Sequence, residues 1–126
     1  MSESRFYLCR ICGNMVGLID GAGVPIMCCG EEMEHLEPQT ENEGGEKHSP
    51  VVSVEGDKVK VKVGSVPHPM ENSHRIMWVY LQTDRGGQRK CLAPGENPEL
   101  EFCLCDEKPT AVYAYCDTHG LYKTAL

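Results

Sequence analysis

Apolar and polar residues alternate strictly along several short segments in the second half of the chain. In residues 57–64, DKVKVKVG, valines alternate with lysines, and in residues 99–105, ELEFCLC, leucine and phenylalanine alternate with glutamate and cysteine. A period of two residues is that of a β-strand with one buried face. Glycine and proline separate these segments, and no segment has a convincing helical period. The pattern predicts an antiparallel β-sandwich.

Two further segments predict strands of the core. The segment ENSHRIMWVYLQ, residues 71–82, is apolar on both faces, and TAVYAYC, residues 110–116, is rich in small and aromatic residues. Alternation predicts two faces for the first strand: Ile76, Trp78 and Tyr80 on one, and Met77, Val79 and Leu81 on the other. His74 opens the first strand, and Cys116 with His119 closes the second. These polar positions at strand ends raise the question of a shared metal site.

The first part of the chain, up to about residue 38, has a different pattern. It is dense in cysteine and glycine, and its short apolar runs, 16–19 and 24–27, predict tight hairpins. A segment this short needs a staple such as a metal ion, because it cannot bury enough apolar surface. Residues 38–47 are polar and acidic. We therefore predict a metal-stapled domain over 1–37, a linker and active-site loop over 38–47, and a sandwich over 48–126.

Composition excludes several classes of partner. The chain has 126 residues and a formal net charge of −7, with 12 basic and 19 acidic residues and no basic block. Binding to nucleic acid or to an anionic membrane is not expected, because both require a concentrated basic face. No apolar run approaches the roughly twenty residues that span a bilayer. The first residues lack a signal-peptide pattern, which predicts a cytoplasmic location. There, eight cysteines favour metal binding over disulfides.

Four of the cysteines have the spacing of a sulfur metal site. Cys9 and Cys12 form a CxxC motif, and the adjacent Cys28 and Cys29 follow fifteen residues later. Two such pairs complete a tetrahedral thiolate site. A structural zinc ribbon is the alternative, but it would repeat CxxC in its second half. The adjacent pair should splay the tetrahedron. Four thiolates suit zinc and iron equally, so the spacing leaves the metal open.

A second group of candidate ligands lies at strand ends and in loops, and consists of His48, His68, His74, Cys116 and His119. Taken singly, each histidine has an ordinary interpretation as a solvated loop residue. Together they could gather at one end of a sandwich. Five ligands leave one octahedral position free, which suits a redox metal that meets a small molecule. The fifth histidine, His35, is expected to be a surface residue.

Three of these segments resemble a known family. GEKHSPVV, KVGSVPHPMENSHRI and YAYCDTHGLYK are similar, in order, to the signature segments of desulfoferrodoxin, the two-iron class of superoxide reductase, and the four cysteines look like a desulforedoxin-type centre. The resemblance implies an all-β chain, with a small desulforedoxin-like domain followed by an immunoglobulin-like sandwich. It also implies two irons per chain. One is held by the four cysteines, and the other by His48, His68, His74 and His119 as equatorial ligands with Cys116 as the axial ligand.

The resemblance further implies a reaction. That reaction is the one-electron reduction of superoxide to hydrogen peroxide without release of oxygen. Glu46 would be the carboxylate that can take the sixth position, and Lys47 the cation that assists the substrate. An ordinary solvated loop is the alternative for this pair. The family also implies a rubredoxin-like electron donor and a homodimer. The rival functions are a non-enzymatic two-iron electron-transfer protein and a zinc-stapled binding module.

Three cysteines match no ligand position of the family: Cys91, Cys103 and Cys105. A packed thiol is the first interpretation of Cys103 and Cys105, because both lie on one face of a predicted strand. A redox-sensitive pair or an intersubunit contact is the alternative.

Overall fold

The structure is a computed structural model, and it describes residues 4–40, 48–64, 70–71 and 74–126. Twelve strands are assigned within these residues, and they belong to two compact units, Met1–Glu37 and Pro38–Leu126. The predicted all-β class, with a four-cysteine cluster followed by a sandwich, is confirmed. Within the described ranges, no helix has the length and apolar character needed to cross a membrane.

The first unit is built from very short strands. They are β1 (Arg5–Leu8), β2 (Met15–Leu18), β3 (Met27–Cys28), β4 (Glu31–Glu32) and β5 (Glu34–His35). One sheet has the order β2-β1-β5, and β3 pairs with β4 as a separate hairpin. Its buried apolar residues are few: Phe6, Leu8, Cys9, Met33 and Leu36. Of the two apolar runs in the sequence, Ile19 and Val24 remain exposed. A unit with so small a core depends on a further stabilising interaction.

The second unit is an antiparallel sandwich. Its strands are β6 (Pro50–Glu55), β7 (Lys58–Val63), β8 (Ile76–Thr83), β9 (Gly86–Cys91), β10 (Glu99–Cys103), β11 (Pro109–Cys116) and β12 (Gly120–Ala125). One sheet has the order β10-β7-β6 and the other β12-β11-β8-β9, and every paired strand is antiparallel. Side chains from both sheets form a single apolar core.

The alternation read from the sequence places this core correctly in two strands. In β7 the three valines are at most 3% exposed while the lysines face solvent. In β10, Phe102 is fully buried and Cys103 is exposed. Complete burial of a valine or phenylalanine side chain contributes about 1.5–3 kcal/mol. The two sheets are therefore held together mainly by apolar contacts between their inner faces.

A β-bulge changes the faces of β8. Tyr115 pairs with Trp78, but the next residue of β11, Cys116, pairs with Ile76, so Met77 has no direct partner on β11. Ile76 consequently lies in the core with Val79 and Leu81, and the predicted grouping of Ile76 with Trp78 and Tyr80 is wrong. A bulge inserts one residue and re-aims the side chains beyond it. Here it brings Ile76 into the core beside Cys116, which ordinary alternation already places on the inner face of β11.

Side chains fasten the edges of the two sheets to each other. Gln88 on β9 donates from Nε2 to the carbonyl oxygen of Cys103 on β10 at 2.7 Å. On the opposite side, the Thr124 hydroxyl of β12 donates to the carbonyl oxygen of Pro50 on β6 at 2.6 Å. Such contacts cover backbone groups that an open sheet edge would expose.

Candidate metal centres

The structure brings the four cysteines of the first unit together. The sulfur atoms of Cys9, Cys12, Cys28 and Cys29 all lie within 4.8 Å of one another. Cys9 is buried, Cys28 is half-buried, and Cys12 and Cys29 are exposed. The Sγ atoms of Cys12 and Cys28 are 3.6 Å apart. Four sulfur atoms at this spacing form a donor set that suits zinc or iron.

A tight turn presents the first pair of sulfurs. Gly13 donates its N–H to the carbonyl of Cys9 at 2.9 Å, and Cys9 donates to the carbonyl of Asn14 at 2.8 Å. Gly13 has a φ of 85°, which glycine adopts without strain. Backbone N–H groups of Cys12 and Ile11 donate to the Cys9 sulfur and lower the pKa of this thiol to about 6, while burial opposes the shift. The turn therefore stabilises a thiolate at Cys9.

A two-residue hairpin loop explains why the second pair is adjacent in sequence. Cys28 ends β3, and the loop consists of Cys29 and Gly30, with φ of 53° and 76°. Two successive positive φ values are those of a type I′ turn, whose twist fits a hairpin. Hydrogen bonds with Cys12 and Cys9 raise the pKa of Cys28, and those same contacts raise that of Cys29 to about 12. In the metal-free cluster these two sulfurs hold their protons.

The second group of candidate ligands meets where strands of the sandwich begin and end. His48 precedes β6, His74 precedes β8, Cys116 ends β11, and His119 lies in the turn before β12. One ligand atom of each lies within 4.8 Å of the others. Because β8 and β11 are antiparallel, the start of one and the end of the other fall at the same end of the sheet. The sheet pairing therefore gathers residues that are distant in sequence.

His119 is at the centre of this group. Its Nδ1 atom lies 3.2 Å from Nε2 of His74 and 3.6 Å from the Cys116 sulfur. Its ring meets those of His48 and His74 edge-on, with centroids 4.6 and 4.9 Å apart. It follows Cys116 by three positions in the sequence, and its Nδ1 is the ring nitrogen that faces the sulfur. Three imidazoles and one thiol thus converge on a common point.

Contacts around the group hold its members in place. The backbone N–H of Arg75 donates to Oδ1 of Asp117 at 2.9 Å, and Asp117 N–H donates to the carbonyl of Arg75 at 3.2 Å. This pair joins the start of β8 to the turn after Cys116. Tyr122 stacks on His48 with centroids 4.7 Å apart and planes 13° apart. The sequence reading missed Asp117 and Tyr122, although both lie inside the quoted segment YAYCDTHGLYK.

Burial controls the protonation of Cys116. It raises the pKa of the thiol, whereas N–H groups of His119 and Thr118 that donate to the sulfur lower it, and the charge of Asp117 raises it further. The residue is fully buried. Without a metal the sulfur therefore keeps its proton, yet two backbone donors are already directed at it. Such donors tune a sulfur that ligates a metal.

The remaining residues considered in the sequence analysis lie outside the described residues or outside these two groups. His68, Glu46 and Lys47 lie outside the described residues. His35 is exposed, as predicted, and its Nδ1 lies 3.2 Å from Oε1 of Glu37. The packed-thiol interpretation of Cys103 and Cys105 is wrong, because both are exposed, as is Cys91. These three cysteines belong to neither of the two groups that could hold a metal.

Comparison with known proteins agrees with this geometry. Residues 40–125 match the family model described as desulfoferrodoxin, and residues 2–36 match that of the desulfoferrodoxin N-terminal domain. The chain belongs to the desulfoferrodoxin family. A desulfoferrodoxin homologue from Archaeoglobus fulgidus is 44% identical over 120 residues, which cover 95% of each chain. Membership in this family implies iron centres, and the two donor groups found here are suited to them.

Solved structures show the same likeness. A superoxide reductase from Treponema pallidum superposes with a TM-score of 0.81 at 37% identity, covering 97% of both chains. A superoxide reductase of the 1Fe class from Giardia intestinalis gives a TM-score of 0.56 at 29% identity. That match covers 64% of this chain and 97% of the Giardia protein. A share this large must come mainly from the second unit, because the first unit is only residues 1–37.

Proposed function

We propose that this chain is a superoxide reductase, which reduces superoxide by one electron to hydrogen peroxide without releasing oxygen. The observation that carries the proposal is the convergence of His48, His74, Cys116 and His119 at one end of the sandwich, in a member of the desulfoferrodoxin family. Two solved structures named superoxide reductase match 97% and 64% of this chain, and the smaller share is about the length of the sandwich.

The residues of the second group fit an iron ion. Imidazole nitrogens and one thiolate are donors that iron accepts, and His68 completes the proposed set of four histidines and one cysteine. Iron bound there would supply the single electron that superoxide takes up. The protein's part is to hold the ligands, to keep one side open to a small anion and to control charge. The buried start of β8 and end of β11 provide a rigid frame for this task.

Cys116 would be the thiolate ligand of this iron. Its sulfur lies in the core, where N–H groups of His119 and Thr118 donate to it. A thiolate donates electron density to iron, and hydrogen bonds to the sulfur moderate that donation. The three described histidines surround the same point with their ring nitrogens. This division of roles gives one strong donor on the core side and neutral donors around it.

Lys47 and Glu46 are proposed to supply the charge near the free coordination position of the second site. The chain as a whole carries −7, so attraction of an anion must be local. Lys47 adjoins His48 in sequence and is the proposed cation that draws superoxide to the site. Glu46 is the proposed carboxylate that occupies the free position in the oxidised protein. Both roles follow from the family resemblance and from their adjacency to His48.

The first centre is proposed to hold a second iron between Cys9, Cys12, Cys28 and Cys29. It serves as an electron relay or as a staple for the first unit. The Giardia relative is a superoxide reductase of the 1Fe class, which favours the sandwich as the place of the reaction. A rubredoxin-like donor, a homodimer and a cytoplasmic location complete the proposal. Each is an expectation from family resemblance and sequence composition.

The product yield tests the function. Iron-loaded protein with a reductant should yield one hydrogen peroxide for each superoxide consumed and release no oxygen, whereas dismutation yields one peroxide for two superoxides. The Cys116→Ser variant is the control, because it keeps the first centre and loses the proposed axial ligand. The rival, a non-enzymatic two-iron electron carrier, predicts no consumption of superoxide above that of this variant. Oxygen release with half the peroxide yield would contradict reductase activity.

A further inference from the structure

Gln39 lies directly beside the strand that follows His119. Its backbone N–H donates to the carbonyl of Leu121 at 2.8 Å, and the N–H of Lys123 donates to the carbonyl of Gln39 at 2.8 Å. It forms a parallel bridge with Tyr122. The Gln39 backbone is therefore fixed against the start of β12, independently of what its side chain does.

The side chain of Gln39 reaches the candidate metal site. Its Nε2 atom donates to the carbonyl oxygen of His119 at 2.8 Å. His119 is the residue whose Nδ1 faces both Cys116 and His74. The carbonyl belongs to the peptide that joins His119 to Gly120, so holding it restricts rotation of the backbone on which the imidazole is mounted.

Gly120 provides the space for this contact. Its φ is +96°, and a Cβ atom built there would lie 3.2 Å from Nε2 of Gln39. A larger residue would be strained by its backbone and would also crowd the amide. The turn after His119 is therefore shaped so that the Gln39 amide can approach the His119 carbonyl.

We propose that Gln39 is a positioning residue for His119, whose amide sets the direction in which Nδ1 is presented to the metal. The inference rests on the proposed function only in taking His119 as a metal ligand. Groups that support a metal ligand typically change metal affinity by about 10–100-fold. Gln39 supports the ligand through its backbone and not its ring, so we expect about a tenfold loss, at the lower end of that range.

The chain offers a matched control. Gln88 makes the same kind of bond, from Nε2 to the carbonyl of Cys103 at 2.7 Å, between two edge strands that carry none of the candidate ligands. Gln39→Ala and Gln88→Ala each remove one glutamine amide bond to a backbone carbonyl and leave the backbone pairing in place. Their effects on thermal unfolding should be similar, whereas only Gln39→Ala should affect the metal site.

Two measurements distinguish positioning from general stabilisation. In the metal-free full chain, ring resonances of His119 should shift in Gln39→Ala and stay unchanged in Gln88→Ala. Ferrous ion binding at the His/Cys site, measured by chelator competition, should weaken about tenfold in Gln39→Ala and less than about twofold in Gln88→Ala. The ferric absorption of that site should shift only in Gln39→Ala.

The proposal is overturned if both variants alter His119 and the metal affinity equally, or if Gln39→Ala leaves the His119 resonances and the affinity unchanged. Failure of the proposed superoxide reductase function would give a different experimental result. If wild-type protein bound no iron at the His/Cys site, the proposed reaction would fall, while the His119 resonances of the metal-free chain would still decide whether Gln39 positions that ring.

Discussion

The two candidate metal centres are built in opposite ways. In the first unit the strands are two to four residues long, and two of the four sulfurs are exposed. In the second, the described candidate ligands lie at the ends of strands of six to eight residues, and Cys116 belongs to the apolar core. In one region of the same chain, metal binding completes folding, whereas in the other region the metal binds to a domain that is already folded.

The difference follows from how much apolar surface each region buries. The five apolar side chains that are buried among residues 4–37 cannot offset the conformational entropy of a segment of this length, so a bound metal must supply folding free energy. The sandwich buries residues from both sheets around a common core and fastens its edges with side-chain bonds. Its ligands are therefore held before any metal arrives.

The largest expected effect concerns the first unit. Replacing Cys12 with Ser, or removing the metal with a chelator, should unfold residues 4–37, because structural metal sites contribute about 10–16 kcal/mol to such units. Hydrogen exchange should then show loss of protection in β1 and β2, while β8 and β11 stay protected. Cys91→Ser serves as the control, since Cys91 is exposed and belongs to neither group. Equal loss of protection in both units would refute the contrast.

The second prediction removes a ligand of the second centre instead of one of the first. Cys116→Ser should leave the first centre and its spectrum intact, while the thiolate-to-iron charge-transfer band of the second site disappears. Superoxide consumption should fall by more than the roughly 10–100-fold that loss of a supporting contact to a metal ligand costs. The sandwich should remain folded, because serine is of similar size. Full activity in this variant would show that Cys116 is not the axial ligand.

Sequence patterns predicted the parts of the fold that depend on local alternation. The valines of β7 and Phe102 of β10 are buried as expected, because one side chain in two meets the core. The faces of β8 were predicted wrongly, since the bulge opposite Cys116 depends on the partner strand and leaves no mark in the alternation of β8 itself. Ile76 pairs with Cys116 at this bulge, so the error falls beside the site.

The candidate ligands could be named from spacing and family resemblance, but their supports could not. The bond from Gln39 to His119 joins residues eighty positions apart, and the stacking of Tyr122 on His48 depends on the packing of β12 beside β6. Cys103 and Cys105 were misjudged for a related reason. Cys103 lies on the outer face of β10, opposite the inward-facing Phe102, and Cys105 lies beyond the end of the strand, so neither thiol is packed.

A third prediction tests whether local charge acts at the second centre alone. Lys47→Ala should slow the second-order reaction with superoxide by about tenfold at low salt and weaken its dependence on ionic strength, because a nearby cation steers an anion. Glu46→Ala should leave that encounter nearly unchanged and alter the ferric spectrum. Pulse radiolysis across a salt series measures both. Equal slowing with equal salt slopes would show that the pair is only loop structure.

The smallest expected effect is the release of a proton. Burial raises the pKa of Cys116 above its ordinary value of 9.0, so at neutral pH metal binding must displace the thiol proton. Calorimetry of ferrous ion binding in buffers of different ionisation enthalpy should therefore show about one proton fewer released at the second site in Cys116→Ser than in the unmodified chain.

The raised pKa of Cys116 also makes the stability of the metal-free sandwich depend on pH. The raised pKa of Cys116 favours the neutral thiol in the folded chain, so its contribution to stability is full below pH 9.0 and is lost as the pH rises through the raised value. Unfolding of the metal-free sandwich in Cys116→Ala and in the unmodified chain across this range isolates the contribution. If Cys116→Ala kept the alkaline loss of stability shown by the unmodified chain, the buried thiol would not be its source.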